Sequence, residues 1–194
     1  MISVSDTRTL ETDAGGALVQ AMTSEAGFSV VGRDLFPDEP EQLRGRVREL
    51  TGAGREAHSG LPEAGAGPSG IPSVDVILVT GGTGVAPRDG TVDAVVPLFE
   101  RRLDGFGELF RMLSFAEVGS AAMLSRACAG IVAGVAVFLM PGSPPAIRLA
   151  LQRLILPELG HLISELRRQP AASTTAAPRH EGHHHHGSEH RHRG

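Results

Sequence analysis

VDVILVTGGTGVAPRDGT, residues 74–91, is the stretch of sequence that decides the fold. Its opening apolar run, residues 74–79, is typical of a short strand that is buried on both faces of a parallel sheet. Three glycines and two threonines follow at residues 80–84, so backbone N–H groups there are open to a ligand without Cβ atoms in the way. The pattern predicts an anion-binding loop that leaves a central strand.

The residues after this loop have the side chains that phosphate chemistry needs. Arg88 is a cation that can pair with a phosphate, and Asp89 is a carboxylate that can hold a divalent metal ion. Thr91 is predicted to cap the N-terminus of the next helix. A glycine-rich turn between a strand and a helix, without any ligand, is the alternative interpretation of the same residues.

Two common nucleotide-binding motifs are excluded. A Walker A loop ends in Gly-Lys-Ser/Thr, and this chain has no lysine. A dinucleotide fingerprint needs a third glycine where this chain has Pro87.

Composition limits the protein to a few classes. With 194 residues and 20.3 kDa, the chain is long enough for one α/β domain. Its 18 basic and 22 acidic residues give a net charge of −4, and it has no Trp or Tyr, so we expect neither nucleic acid nor membrane as a partner. A single cysteine and the lack of an apolar span indicate a cytoplasmic enzyme or binding protein.

Apolar spacing along the chain alternates between strand-like and helix-like periods. This alternation predicts a three-layer α-β-α sandwich with a mostly parallel central sheet and a β-hairpin. The predicted elements are a helix opened by Asp13 and stopped by Gly27, a strand at 28–31, a helix after Asp38, a helix at 91–102 interrupted by Pro97, a helix at 106–115, a hairpin at 129–140 and final helices at 146–156 and 158–168, separated by Pro157.

The predicted domain spans residues 1–168. Within it, residues 52–72 are rich in glycine and proline and predict a flexible insertion. Residues 169–194 predict a disordered tail whose histidines at 183–186 can chelate a metal ion, but such a cluster specifies no particular metal. A metal-handling protein that acts through this tail is therefore one alternative function.

Several blocks of the chain resemble the MoaB/MogA family of molybdenum-cofactor biosynthesis proteins. TGGTG at 80–84 followed by PRDGT at 87–91 carries the resemblance most clearly. Further blocks occur in family order, and the later ones resemble the MoaB branch: SVSDTR at 3–8, PDE at 37–39, FGELFRMLSF at 106–115, MLSRA at 123–127 and MPGSP at 140–144. The resemblance also implies more strand before Ile2.

Better-characterised members of this family adenylylate molybdopterin with Mg-ATP, whereas some bacterial MoaB proteins carry altered motifs. Because Arg88, Asp89 and Thr91 are kept here, the resemblance implies an active molybdopterin adenylyltransferase. It implies Asp38 and Asp89 as catalytic residues that hold Mg²⁺, with ATP and molybdopterin as substrates. The implied substrate-binding residues are Asp6, Thr80, Gly81, Gly82, Thr83, Gly84, Arg88, Ser120, Arg126, Gly142 and Ser143.

Asp38 has a second interpretation that needs no ligand. It precedes a predicted helix with one apolar stripe, and aspartate is a good N-cap, so spacing alone favours a capping role. The resemblance places the same acidic loop against the nucleotide.

A non-catalytic molybdopterin-binding or scaffolding oligomer of the MoaB type is the main alternative. Two departures favour it: Ala14, where the family often has a hydroxyl residue, and Ser143, where many active relatives have asparagine. The resemblance also implies a homotrimer or homohexamer, with the helix at 106–115 as a candidate interface, and other molybdenum-cofactor biosynthesis proteins as partners.

Overall fold

A computed structural model describes residues 1–53 and 73–168. The predicted tail and nearly all of the predicted insertion lie outside the described residues. The strands are β1 (Ile2–Val4), β2 (Asp34–Phe36), β3 (Val76–Thr80), β4 (Arg101–Arg102), β5 (Cys128–Val132) and β6 (Val135–Met140). The helices are α1 (Ala14–Glu25), α2 (Pro40–Thr51), α3 (Thr91–Val95), α4 (Asp104–Val118), α5 (Pro144–Ala150) and α6 (Leu156–Arg167).

The six strands form one sheet in the order β2-β1-β3-β6-β5-β4. The first four strands in this order are parallel, and β5 and β4 are antiparallel to their neighbours. The apolar run predicted as a buried strand is β3, which pairs with β1 on one side and with β6 along its whole length on the other. Its glycine-rich exit therefore lies at the middle of the carboxyl edge, where open parallel sheets bind ligands.

Helices cover both faces of the sheet, which confirms the predicted three-layer α/β architecture. On one face α1, α4, α5 and α6 pack over a core that includes Phe110, Met140 and Ile147. On the other face α2 and α3 pack against the sheet and form a second core that includes Leu43, Val47 and Ile77. The predicted hairpin is confirmed as β5 and β6, joined by Ala133 and Gly134 at φ of 47° and 79°.

The strand predicted at 28–31 is wrong. The second strand is Asp34–Phe36, whose register pairs Asp34 with Ile2 and Phe36 with Val4. The apolar residues at 28–31 therefore do not identify the strand. The second strand is the segment whose backbone pairs with β1.

Of the two prolines expected to interrupt helices, only Pro97 does so, and residues 101–102, which were expected to continue that helix, form β4 instead. Pro97 lies in a 3₁₀ turn, Val96–Leu98, that ends α3 after five residues. Pro157 does not end the last helix: a π-helical segment, Leu151–Ile155, leads directly into α6. A proline in the first turn of a helix is tolerated because that N–H has no intrahelical partner.

No helix within residues 1–53 and 73–168 is long and apolar enough to cross a membrane.

Candidate functional site at the carboxyl edge of the sheet

The loop that leaves β3 adopts a backbone conformation that requires glycine. Gly81 and Gly82 have φ of 102° and 60°, in the region that L side chains rarely adopt. A Cβ on Gly81 would collide with the carbonyl oxygen of Val4, and one on Gly82 would lie 2.8 Å from Oδ2 of Asp38. The loop is therefore packed closely between the ends of neighbouring strands.

Thr91 fastens this loop to the start of α3. Its hydroxyl donates to the carbonyl of Gly81 at 2.9 Å, and its N–H donates to the carbonyl of Gly82 at 3.1 Å. The predicted N-cap role of Thr91 is wrong by one position, because Gly90 is the N-cap and Thr91 is the first helical residue. Thr91 is fully buried, so its hydroxyl has a structural role in the loop.

Asp38 bonds to the glycine loop and does not cap its own helix. Its Oδ1 accepts a hydrogen bond of 3.0 Å from the N–H of Gly90. The N-cap of α2 is Glu39, which makes no side-chain capping bond. The N–H of Asp38 in turn donates to Oδ1 of Asp6 at 2.8 Å, so the exit of β1 is tied to the same place.

A cavity of about 140 Å³ lies where the exits of three strands meet. Its walls bring together five residues that the sequence had assigned to the site, and three that it had not. The lining residues are Val4, Ser5, Asp6, Thr7, Asp38, Gly82, Arg88 and Asp89.

The cavity concentrates negative charge around Asp38. Burial raises the pKa of Asp38, and the nearby carboxylates of Asp6 and Asp89 raise it further. The N–H of Gly90 and the guanidinium of Arg88 act in the opposite direction but do not outweigh them. A site in which like charges are held together in this way is relieved by a bound cation or by protonation.

Magnesium fits this set of donors only with help from a substrate. No group of three or more His, Cys, Asp or Glu side chains in the described part of the chain is arranged to hold a metal ion alone. Mg²⁺ is commonly bound by one or two carboxylates together with water and substrate phosphates. Asp38 and Asp89, which both line the cavity, are compatible with that mode. The second oxygen of Asp89, Oδ2, already accepts a hydrogen bond of 2.8 Å from the N–H of Ala86.

Four further residues assigned from the sequence form two pairs with different positions. Thr80 and Gly142 support the loop: the Thr80 hydroxyl donates to the carbonyl of Pro141 at 3.1 Å, and a Cβ on Gly142 would lie 3.3 Å from the Cα of Gly81. Ser120 and Ser143 are exposed and do not line the small cavity. Ser143 is the N-cap of α5, as expected, but its side chain makes no capping bond.

Arg126 bonds to the loop but does not line the small cavity. It donates hydrogen bonds to backbone carbonyls of the loop and forms an ion pair with Asp93 at 3.0 Å. The segment expected to lie near the substrate is therefore beside the loop. The ion pair with Asp93 was not foreseen from the sequence.

The exit of β1 is held by a buried ion pair that sequence reasoning treated only as a helix start. Asp13 is 2% exposed, caps α1 through the N–H of Gly16, and accepts bonds from Ser3 at 2.6 Å and Arg33 at 3.0 Å. Burial acts to raise the pKa of Asp13, but the bonds from Ser3, Gly16 and Arg33 outweigh it and the pKa is lowered. Asp13 therefore fixes β1 against α1, and with it the segment that carries Asp6.

Two further cavities lie outside this cluster. One of about 260 Å³ is at the opposite, amino edge of the sheet, beside Met1 and Val76, and contains none of the assigned residues. The other cavity has a volume of about 410 Å³, and Arg126 and Cys128 are among its lining residues. Burial raises the pKa of the Cys128 thiol, and this effect outweighs that of three nearby arginines, so the thiol is a poor nucleophile at neutral pH.

Comparison with known sequences is consistent with this geometry. Residues 69–161 match the family described as "Probable molybdopterin binding domain". The chain is 45% identical over 170 residues to molybdenum cofactor biosynthesis protein B of Bacillus anthracis. This alignment covers 87% of this chain and 90% of that protein.

Solved structures show the same relationship. A crystal structure of molybdenum cofactor biosynthesis protein B aligns with a TM-score of 0.74 and 43% identity, covering 87% of this chain and 94% of that one. The molybdopterin biosynthesis enzyme MoaB of Thermus thermophilus aligns with a TM-score of 0.67 and 30% identity, covering 87% and 95%.

Proposed function

Because this chain belongs to the molybdenum cofactor biosynthesis protein B family, we propose that it binds molybdopterin and transfers AMP to it from Mg-ATP. The role in molybdenum cofactor biosynthesis follows from the family. The transfer of AMP, the metal ion and the nucleotide are the proposal.

One observation carries the proposal. Asp38 and Asp89, far apart in the sequence, line one small cavity together with Arg88 and the glycine loop. Asp38 and Asp89 each accept one hydrogen bond that holds the loop, but a purely structural turn gives no reason for the exposed Arg88 beside them. A transfer between phosphate groups does need charged side chains there, because the negative charge of the phosphates must be neutralised while the reacting groups are held in line.

The proposed reaction balances without a covalent intermediate on the protein. An oxygen of the terminal phosphate of molybdopterin attacks the α-phosphorus of ATP, and the bond from that phosphorus to the bridging oxygen of pyrophosphate breaks. Backbone N–H groups at 82–84 would orient phosphate oxygens, and Arg88 would offset their charge. Asp38 and Asp89 would hold Mg²⁺, which when bound supplies Lewis-acid stabilisation of the phosphates.

The direct test is an AMP-transfer assay with purified protein, molybdopterin and α-labelled Mg-ATP. We expect labelled adenylyl-molybdopterin from the unmodified chain and a loss of about 100-fold or more in Asp89→Asn. Asp75→Asn is the matched control, because Asp75 lies at the start of β3, at the far edge of the sheet, and pairs with Arg167. Tight binding of molybdopterin without any transfer would instead favour the non-catalytic alternative.

Assembly into a homo-oligomer is part of the same proposal and rests on a second observation. The side of α4 that faces away from the sheet exposes large apolar side chains, and so does the 3₁₀ turn that follows it, Gly119–Leu124. We name this surface the α4 outer face; it consists of Leu109, Met112, Phe115, Val118, Met123 and Leu124. An apolar surface of this kind marks a contact with another protein surface, and a copy of the same chain is the partner that the resemblance implies.

A further inference from the structure

We infer that the Arg126 side chain positions the catalytic loop by bonding to backbone carbonyls of that loop, with Asp93 as its counter-ion. Arg126 does not itself bind substrate. The role of Asp89 in this inference rests on the proposed function. The contacts of Arg126 do not, and they can be tested without any ligand.

All three guanidinium nitrogens of Arg126 are engaged. Nε donates to the carbonyl of Gly84 at 2.7 Å, and Nη2 donates to the carbonyl of Asp89. Nη1 lies 3.0 Å from both carboxylate oxygens of Asp93. Bonds with a charged donor are roughly twice as strong as bonds between neutral groups, so this side chain is a strong tie.

The two carbonyls that Arg126 binds are the two ends of one short loop, residues 84–89. The backbone reinforces the tie, because the N–H of Arg126 donates to the carbonyl of Thr83 at 2.9 Å. Within the loop, the N–H of Ala86 donates to the carboxylate of Asp89, and the N–H of Asp89 donates to the carbonyl of Ala86. The direction of the Asp89 carboxylate therefore depends on a loop whose ends Arg126 fixes.

Two arginines that look equivalent in sequence have different positions. Arg88 is exposed and lines the small cavity beside Asp38 and Asp89. Arg126 lines the cavity of about 410 Å³ and does not line the small one. The contacts of Arg126 within the protein leave at most two of its five N–H donors for a phosphate.

Lysine cannot replace Arg126 in this role. Its ammonium is a point charge, whereas the planar guanidinium spans two carbonyls and a carboxylate at once. Arg126→Lys should therefore keep the pairing with Asp93 and lose part of the tie to Gly84 and Asp89. Arg126→Gln should lose both.

The test is hydrogen–deuterium exchange of the ligand-free full chain, followed at the amides of Ala86, Gly90 and Thr91. We expect these amides to exchange about tenfold faster in Arg126→Gln, with Arg126→Lys in between, because the loop opens more often. Arg44→Gln is the matched control: Arg44 also donates to carbonyls of α3, those of Ala94 at 3.0 Å and Asp93 at 3.4 Å, but none of its hydrogen bonds within the described residues goes to residues 84–89. It should leave the three amides unchanged.

Ligand measurements complete the test. In Arg126→Gln we expect kcat for AMP transfer to fall at least about tenfold while the Kd for molybdopterin changes less than about threefold. Unchanged exchange would overturn the inference, whether or not molybdopterin binding is lost with it. If the unmodified chain transfers no AMP, the proposed function fails, yet faster exchange in Arg126→Gln would still support the tie.

Discussion

Oδ1 of Asp38 accepts a 3.0 Å hydrogen bond from the N–H of Gly90, which lies 52 positions later in the sequence. This bond joins the exit of β2 to the end of the glycine loop. It also excludes the interpretation of Asp38 as a helix cap alone, because an aspartate in that role would bond to its own helix. The acidic loop after β2 and the glycine loop after β3 thus form one site.

The charge of Asp38 should lower the stability of the folded protein, although the proposed AMP transfer needs it. Its raised pKa means that the folded protein binds a proton there more readily than the unfolded chain, so the free energy of unfolding falls as pH rises from the ordinary aspartate pKa through the raised one. Asp38→Asn keeps an acceptor for Gly90 and removes this charge. We expect an unchanged or higher Tm at pH 7 and a loss of AMP transfer of about 100-fold or more. A clear drop in Tm, measured by calorimetry, would contradict this.

Gly82 should not tolerate a side chain. Gly82→Ala places a Cβ at a φ of 60° against Thr91 and Asp38, and we expect unfolding to become easier by about 3 kcal/mol in urea titration. Gly45→Ala is the matched control, since Gly45 lies within α2 with open space around it. That variant should gain up to about 1 kcal/mol. Equal effects from the two variants would show that the loop is not packed as described.

The buried pair of Asp13 and Arg33 should matter far more than a pair at the surface. Asp13→Asn leaves a largely buried guanidinium without its partner, and we expect a loss of roughly 3 kcal/mol. Asp34→Asn is the control, because the pair of Asp34 and Arg46 is partly exposed and its removal should cost less than about 1 kcal/mol.

The pH dependence gives a second measurement on Asp13. Its lowered pKa contributes stability that is present above the ordinary aspartate pKa and is lost as pH falls through the lowered one. Acid titration of unfolding should therefore be shallower in Asp13→Asn. An identical acid profile in the two proteins would contradict the assigned pairing.

The α4 outer face should hold the oligomer together. Met112 and Phe115 are 60% and 63% exposed in the single chain, and a glutamate at either position would place a charge in the contact. We expect Met112→Glu to dissociate the assembly in sedimentation equilibrium without loss of helical signal. Val31→Glu is the control, because Val31 is also an exposed apolar residue but lies away from α4. If both variants keep the same mass as the unmodified chain, the contact is elsewhere.

Local patterns were sufficient to predict the elements that the chain specifies by itself. The apolar run of β3, the hairpin at 129–140 and the helix start at Asp13 all depend on residues that are neighbours in sequence. The strand at 28–31 was wrong because strand pairing depends on a distant backbone, and β1 selects residues 34–36 by register.

The candidate site was predictable where the resemblance supplied residues, and less so where packing supplies them. Asp6, Asp38, Arg88 and Asp89 meet at one cavity, whereas Ser120 and Ser143 lie outside it. The ties that hold the loop, such as Asp93 to Arg126, have no short-range signal, because their spacing is set by the folded chain alone.

The most direct test of the central claim is a crystal structure of the full chain with molybdopterin, Mg²⁺ and a non-hydrolysable ATP analogue. The account predicts phosphate groups against the backbone N–H groups of residues 82–84, with the metal ion between Asp38 and Asp89. Ligand density at another surface, or phosphates that contact neither the glycine loop nor the two aspartates, would contradict it.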